Sequence, residues 1–196
     1  MAKALGVVGS PRSGGNTHVL VSTILEGARS QGAETDILLL GEMTVRECDG
    51  CHACWQGKGC SKKDDMAPLY RKIAECDVLV LGTPVYWYGP TALMKAFIDR
   101  FVFFNCPGNR AKVRGKKAVV AVPFEEEKAE AAELVTAFFI RCFAYLEMEL
   151  AGQLLAPGVT RRGEVAKRAE TLAEAYELGR RIAGTEYARM HRGLQR

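Results

Sequence analysis

Five short apolar runs alternate along the chain with five longer segments in which apolar residues recur at helical spacing. The clearest run is DVLVLGTP at 77–84, whose near-continuous apolar character is typical of a strand buried on both faces. The other predicted strands are 3–9, 34–41, 116–123 and, at an edge of the sheet, 148–156. The predicted helices are 16–32, 64–76, 89–104, 126–146 and 163–184. This alternation predicts an α/β fold in which one parallel sheet is covered by helices on both faces.

The starts of the helices are predicted from the residue types that commonly occupy them. Asn16 or Thr17 can cap the first helix, because a short polar side chain accepts hydrogen bonds from the unpaired N–H groups there. Asp64 and Asp65 are expected in the first turn of the second helix, where the helix dipole favours negative charge. Pro90 is expected in the first turn of the third helix.

Length and charge limit the broad class of protein. The 196 residues suit a single domain, 1–196, which ends in a basic tail at 185–196. No apolar run approaches the roughly 20 residues that span a bilayer, and the N-terminus lacks the features of a signal peptide. We therefore expect a cytoplasmic protein with no membrane partner. The net charge of +4 is small, and the basic residues lack interleaved aromatic residues, which argues against a nucleic-acid partner.

Ligands of a parallel sheet of this kind bind at the carboxyl ends of its strands. Three predicted loops lie there: 9–17, 83–90 and 122–127. The first, GSPRSGGNT, differs from the phosphate loop of ATP-binding proteins, because Asn16 stands where that motif requires lysine. Its short polar side chains, its glycines, the adjoining helix start and Arg12 nevertheless suit a phosphate group. The alternative is a Gly/Ser turn in which Asn16 or Thr17 merely caps the helix.

The second loop belongs to the segment TPVYWYGPTALMKAFIDR at 83–100 and carries three consecutive aromatic residues beyond a buried strand. These residues are Tyr86, Trp87 and Tyr88. Aromatic rings in such a loop are explained by a flat ligand ring on which they stack. A phosphate site and a planar-ring site on neighbouring strand ends together describe flavin mononucleotide (FMN).

Four of the seven cysteines lie in CDGCHACWQGKGC, within a predicted insertion loop at 43–63. They are Cys48, Cys51, Cys54 and Cys60. An odd number of cysteines in a reducing compartment argues against a disulfide framework. Three thiols on a CxxCxxC run can surround one face of an iron–sulfur cluster, with the fourth returning after a glycine-containing loop. Zinc, which usually takes two separated pairs of ligands, and reduced thiols without metal are the alternatives. Three further cysteines are predicted to be small buried apolar residues, namely Cys76, Cys106 and Cys142.

The two loop segments together resemble the two FMN-binding signatures of the flavodoxin-like NAD(P)H-dependent FMN reductases. The segment CDGCHACWQGKGCSKKDDM between them resembles the iron–sulfur flavoprotein branch of that family in particular. The resemblance runs in order from residue 3 to about residue 155. It implies a flavodoxin-like, doubly wound sheet of five parallel strands in the order 2-1-3-4-5.

The resemblance also implies which residues hold the cofactors. The FMN phosphate would be held by Ser10, Arg12, Ser13, Asn16 and Thr17. The isoalloxazine ring would be lined by Pro84, Val85, Tyr86, Trp87, Tyr88 and Gly89. The four clustered cysteines would bind a [4Fe–4S] cluster. Lys95, Asp99 and Arg100 fit the helix pattern of the family and are expected to serve the fold or dimer packing. The third loop, VPFEEEKAE at 122–130, departs from the small, glycine-rich pattern of relatives, so no FMN contact is assigned to it.

These interpretations predict a redox protein that transfers electrons between a [4Fe–4S] cluster, FMN and a small-molecule or protein partner. The alternative within the same fold is a cluster-free NAD(P)H-dependent FMN or quinone reductase. A non-catalytic metal-binding module is a third hypothesis, against which the FMN signatures count. The sequence assigns no catalytic acid or base, and NAD(P)H is a candidate electron donor. The resemblance further implies a homodimer or homotetramer.

Overall fold

The structure is a computed structural model that describes residues 1–184. The predicted basic tail at 185–196 lies outside these residues. The strands are β1 (Lys3–Val8), β2 (Glu34–Leu39), β3 (Val78–Gly82), β4 (Lys117–Pro123) and β5 (Glu149–Ala156). They pair in parallel in one sheet of order β2-β1-β3-β4-β5, with one irregularity of register between β4 and β5. The predicted strand order and the edge position of β5 are therefore confirmed.

Helices cover both faces of the sheet, and several begin or end away from their predicted limits. The α-helices of the described chain are α1 (Asn16–Ser30), α2 (Met66–Glu75), α3 (Ala92–Asp99), α4 (Val102–Asn105), α5 (Pro107–Arg110), α6 (Glu133–Tyr145) and α7 (Ala169–Ala183). The predicted helix 89–104 is divided at Arg100 and Phe101, whose N–H groups bond three residues back, as in a 3₁₀ turn. Short 3₁₀ turns at Ala129–Ala132 and Glu164–Lys167 replace the predicted starts of the last two helices. Among the described helices, none has both the length and the apolar character that crossing a bilayer requires.

Helix α1 begins at Asn16 as predicted, but three predictions about which residues cap or open the helices were wrong. Gly15, not Asn16 or Thr17, occupies the cap position of α1. Asp64 and Asp65 precede α2, which begins at Met66. Helix α3 begins after Pro90, and the side chain of its cap residue accepts a hydrogen bond from an N–H in the first turn.

The core consists of two apolar layers, one on each face of the sheet. All five residues of β3 are buried, as the apolar run predicted. On one face α1 crosses α7 without side chains between them at two glycines. A Cβ atom added at Gly179 would lie 1.9 Å from the carbonyl oxygen of Ile24, and one at Gly27 would lie 2.0 Å from that of Tyr176. At these two positions the backbones of α1 and α7 are therefore in direct contact.

Candidate functional site

A cavity of about 140 Å³ opens at the carboxyl ends of the strands. It brings together seven residues that the sequence assigned to FMN: Ser10, Arg12, Asn16, Thr17, Pro84, Val85 and Tyr86. The two predicted loops therefore face one space, although about 70 residues separate them. Four other assigned residues lie beside this cavity instead of lining it: Ser13, Trp87, Tyr88 and Gly89.

The first loop is shaped by hydrogen bonds within it and leads directly into α1. Gly14 adopts a left-handed conformation with φ of 66°, and the N–H of Gly15 bonds to the carbonyl of Arg12 at 3.0 Å. The hydroxyl of Ser10 accepts a hydrogen bond from the N–H of Arg12 at 3.2 Å. Because the cap residue is glycine, no side chain at the cap position accepts hydrogen bonds from the first N–H groups of α1. A helix start of this kind attracts an anion.

The side chain of Asn16 is used within the protein. Its Nδ2 donates to the carbonyl of Arg161 at 3.0 Å, and its Oδ1 accepts from the N–H of Val165 at 3.0 Å. Both polar atoms of the amide thus tie the segment after β5 to the start of α1. Asn16 therefore lines the cavity with a side chain whose polar atoms are already bonded within the protein.

The segment after β5 contributes lining residues that the sequence did not nominate. They are Val159, Thr160 and Arg162. The guanidinium of Arg162 donates to the carbonyl of Ser13, which places this cation over the first loop and in the same cavity as Arg12. A signal existed in the sequence, because TRRG follows the fifth predicted strand, where ligands of such sheets bind.

The third loop also lines the cavity, in contrast to the sequence interpretation, which assigned no contact to it. Pro123, Phe124 and Glu125 form part of the wall. The N–H of Phe124 bonds to the carbonyl of Ala156 at 3.0 Å, and its carbonyl accepts from Val159 at 2.9 Å. Since the strands are parallel, their carboxyl ends meet at one edge, so this loop borders the cavity whatever its composition.

The aromatic residues of the second loop form a tight turn. Tyr86 and Gly89 exchange two backbone hydrogen bonds of 2.9 and 3.0 Å. Between them, Trp87 and Tyr88 have φ angles of 50° and 60°, which cost about 1–3 kcal/mol each for residues with side chains. The Trp87 side chain is 98% exposed, and that of Tyr86 lines the cavity. These rings lie outside the core, and strained backbone of this kind is common at ligand sites.

The four clustered cysteines line a second cavity, of about 30 Å³. It is bordered on the protein side by Tyr70, Arg100 and Phe103. Among residues 1–184, no three histidine, cysteine, aspartate or glutamate side chains group closely enough to hold a single metal ion. Thiolates round a cavity are the donor set of an iron–sulfur cluster, in which each binds a different iron atom. The donor chemistry of the cysteine loop therefore suits such a cluster. Glycines with positive φ at positions 50, 57 and 59 give that loop its freedom.

Arg100 joins the cysteine cavity to the core, a role beyond the fold or dimer packing that the sequence predicted. Its side chain is 1% exposed and forms a 2.6 Å ion pair with Asp64, which is equally buried. It also donates to the sulfur of Cys60 at 3.1 Å. Burial raises the pKa of Cys60, but hydrogen bonds from Lys62, Tyr70 and Arg100 outweigh burial and leave that pKa below its ordinary value.

The other three cysteines differ from these. Cys76 and Cys106 are buried as predicted, whereas Cys142 is only half-buried. Burial raises the pKa of Cys76 to about 11. Burial, followed by a hydrogen bond with Cys54, raises the pKa of Cys106 to about 11. Cys106 is therefore a fifth thiol beside the cysteine cavity, next to Cys54.

The chain matches a known protein family over most of its length. The sequence pattern of the NADPH-dependent FMN reductase family matches residues 2–151. The chain belongs to this family. The family predicted from the two loops and the cysteine segment is thereby confirmed.

Relatives of this FMN reductase family member include named iron–sulfur flavoproteins. One from Archaeoglobus fulgidus is 35% identical over 114 residues, which are 58% of this chain and 50% of that protein. The chain spans about half the length of the iron–sulfur flavoproteins that it matches. A putative NAD(P)H-dependent FMN-containing oxidoreductase of Bacillus subtilis is 28% identical over 88% of this chain and 94% of its own length. The solved structure of the Trp repressor binding protein from Bacillus subtilis superposes with a TM-score of 0.67 at 25% identity, over 90% of this chain and 98% of that one.

Proposed function

We propose that this protein is a flavin-dependent oxidoreductase that binds FMN in the strand-end cavity. The observation that carries the proposal is the meeting of the loops after β1 and β3 in one cavity at the start of α1. The FMN phosphate would lie against the N–H groups of α1 and the cations of Arg12 and Arg162. The isoalloxazine would lie toward Pro84 and Tyr86. When bound, FMN supplies both one-electron and two-electron transfer, while the chain positions it and limits its exposure to water.

We further propose that Cys48, Cys51, Cys54 and Cys60 bind a [4Fe–4S] cluster that exchanges single electrons with the flavin. Two findings support this: the four thiols line one cavity, and several relatives are named iron–sulfur flavoproteins. Among residues 1–184, no three potential ligands group closely enough for a single ion, which counts against zinc, whose ligands converge at about 2.3 Å from one metal. The protein would then pass electrons between a small-molecule or protein donor and acceptor.

A cluster-free NAD(P)H-dependent FMN or quinone reductase is the second candidate function. It is favoured by the Bacillus subtilis relative, which is named as an FMN-containing oxidoreductase and matches over nearly its whole length. In that case the four thiols stay reduced. Both candidates accept NAD(P)H as a donor and differ only in the content of the cysteine cavity.

Location and assembly are proposed on general grounds. All seven cysteines are free thiols, which supports the cytoplasm as the compartment. A homodimer or homotetramer is supported by exposed apolar side chains on α6, where Leu134 and Tyr145 are each 64% exposed. Nucleic acid and membranes are not proposed as partners.

Anaerobic purification followed by iron, acid-labile sulfide and flavin analysis tests the proposal. We expect released FMN and about four iron and four sulfide per chain. Replacing any one clustered cysteine by alanine should remove iron and leave FMN bound, because the FMN cavity lies elsewhere. Cys76→Ala and Cys142→Ala are the matched controls and should retain iron. FMN without iron or sulfide would select the cluster-free candidate, and FAD, or no flavin after reconstitution, would overturn both.

A further inference from the structure

Arg100 is a buried cation whose position is set by groups other than the cysteines. Its Nη1 donates to the carboxylate of Asp64 at 2.6 Å and to the carbonyl of Arg46 at 2.8 Å. Asp64 is itself held by the N–H groups of Arg46 and Met66 at 3.1 and 3.2 Å. A buried charge requires such partners to offset its loss of hydration. The guanidinium is therefore fixed before any ligand enters the cysteine cavity.

The second terminal nitrogen of this guanidinium points at a thiol. Nη2 of Arg100 lies 3.1 Å from the sulfur of Cys60, with an N–H directed at it. The ring of Tyr70 lies 6.0 Å from the guanidinium carbon and stacks on Phe103 at 4.1 Å, so aromatic rings pack beside this contact. The contact therefore has a low-dielectric surrounding, in which a charge acts more strongly than in water.

We propose that Arg100 is a positioning residue that orients Cys60 and raises the reduction potential of the cluster bound there. This inference rests on the proposed function. With a cluster bound, its reduction would add one electron from the flavin or from a redox partner, and no bond would form or break at Cys60. A cation that donates a hydrogen bond to a ligating sulfur would stabilise the added negative charge. It would therefore stabilise the reduced cluster more than the oxidised cluster, which raises the reduction potential.

The ion pair allows a test in which two substitutions act in opposite directions. Arg100→Met removes the cation and its hydrogen bond to Cys60, so the potential should fall. Asp64→Asn leaves the hydrogen bond from Arg100 in place and removes the opposing negative charge, so the potential should rise. Each change should be at least tenfold in the equilibrium constant for one-electron reduction, which is 59 mV. A role in folding alone would lower stability in both variants without shifting the potential in opposite directions.

The experiment is an anaerobic redox titration of the cluster, followed by electron paramagnetic resonance, in the FMN-loaded protein and its variants. Lys95→Gln is the charge-matched control, because that lysine is on α3 but half-exposed and paired with Asp99. Its potential should stay at the wild-type value. If Arg100→Met does not fold, the double variant with Asp64→Asn avoids an unpaired buried charge and should have a lower potential than Asp64→Asn alone.

The outcomes separate this inference from the proposed function. Absence of a cluster signal in the wild type would overturn the proposed cluster and this inference with it. A wild-type cluster signal, with potentials in the Arg100 and Asp64 variants equal to that of the wild type, would overturn the inference alone. Shifts of the same sign in both single variants would also overturn it.

Discussion

Arg162 offers the sharpest test of the proposed phosphate site in the strand-end cavity. Its guanidinium donates to the carbonyl of Ser13, and its nearest nitrogen lies 3.6 Å from where a Cβ atom would stand on Gly14. It thus stands over the first loop, in the cavity that Arg12 also lines. The substitution Arg162→Gln removes this cation and keeps a polar side chain. It should weaken binding of FMN and leave binding of riboflavin, which lacks the phosphate, nearly unchanged.

The expected magnitude follows from the exposure of this side chain. A hydrogen bond to a charged group contributes about 1.5–3 kcal/mol when shielded from water. Arg162 is exposed, so solvent screening reduces its share to about 0.5–1 kcal/mol. The dissociation constant of FMN should therefore rise about two- to fivefold. That of riboflavin should rise less than about twofold.

The assay is quenching of flavin fluorescence on titration with flavin-free protein. Arg168→Gln is the matched control, because Arg168 donates to the carbonyl of Gly158 at 2.6 Å and does not line the cavity. It should bind both flavins as the wild type does. Equal weakening of FMN and riboflavin by Arg162→Gln would refute a phosphate contact, as would unchanged FMN affinity. Because the contact is ionic, the difference should also shrink as salt is added.

Three further perturbations test other parts of the structure. Gly179→Ala places a Cβ atom 1.9 Å from a carbonyl oxygen of α1, so urea denaturation should show that the free energy of unfolding falls by about 1–3 kcal/mol. The control is Gly108→Ala, whose added Cβ atom meets open space and should change the free energy of unfolding by less than about 1 kcal/mol. Trp87→Gly relieves a positive φ and should raise the free energy of unfolding by about 1 kcal/mol. The same substitution should alter the affinity for flavin or the flavin reduction potential. If both flavin properties stay unchanged, the ring serves a subunit contact instead. In metal-free protein at about pH 8, iodoacetamide should label Cys60 before Cys76. The reason is that the pKa of Cys60 lies below its ordinary value, whereas burial raises the pKa of Cys76 to about 11. Peptide mass spectrometry that shows the reverse order of labelling would contradict these pKa assignments.

The sheet could be predicted from the sequence because a strand buried on both faces has few residue choices. The run that contains Val78–Gly82 is apolar throughout, and its five residues are all buried. The order of the strands came from resemblance to the family, whose loop motifs are contiguous in the chain. Seven of the eleven residues assigned to FMN line one cavity for the same reason, since each motif is a single loop at the end of a single strand.

The capping residues could not be predicted, because distant partners compete for the same side chains. Asn16 is a good capping residue by type, yet its amide bonds to residues 145 and 149 positions away. Thr91, whose side chain caps α3, also donates to the carbonyl of Gly9 across the sheet edge. Local propensity ranks such residues as caps but does not state which partner lies nearest in the folded chain.

The sequence alone determined the strands, the two loop motifs and the cluster of cysteines, because each is a local pattern that burial or ligand chemistry requires. Tertiary structure alone decided the remaining walls and contacts. Phe124 and Arg162 reach the cavity because β4 and β5 end at the same edge as β1 and β3. Arg100 reaches Cys60, 40 positions away, because its charge is held inside the core by Asp64. A buried ion pair depends on two residues that are far apart in the chain and meet only when the sheet and its helices pack.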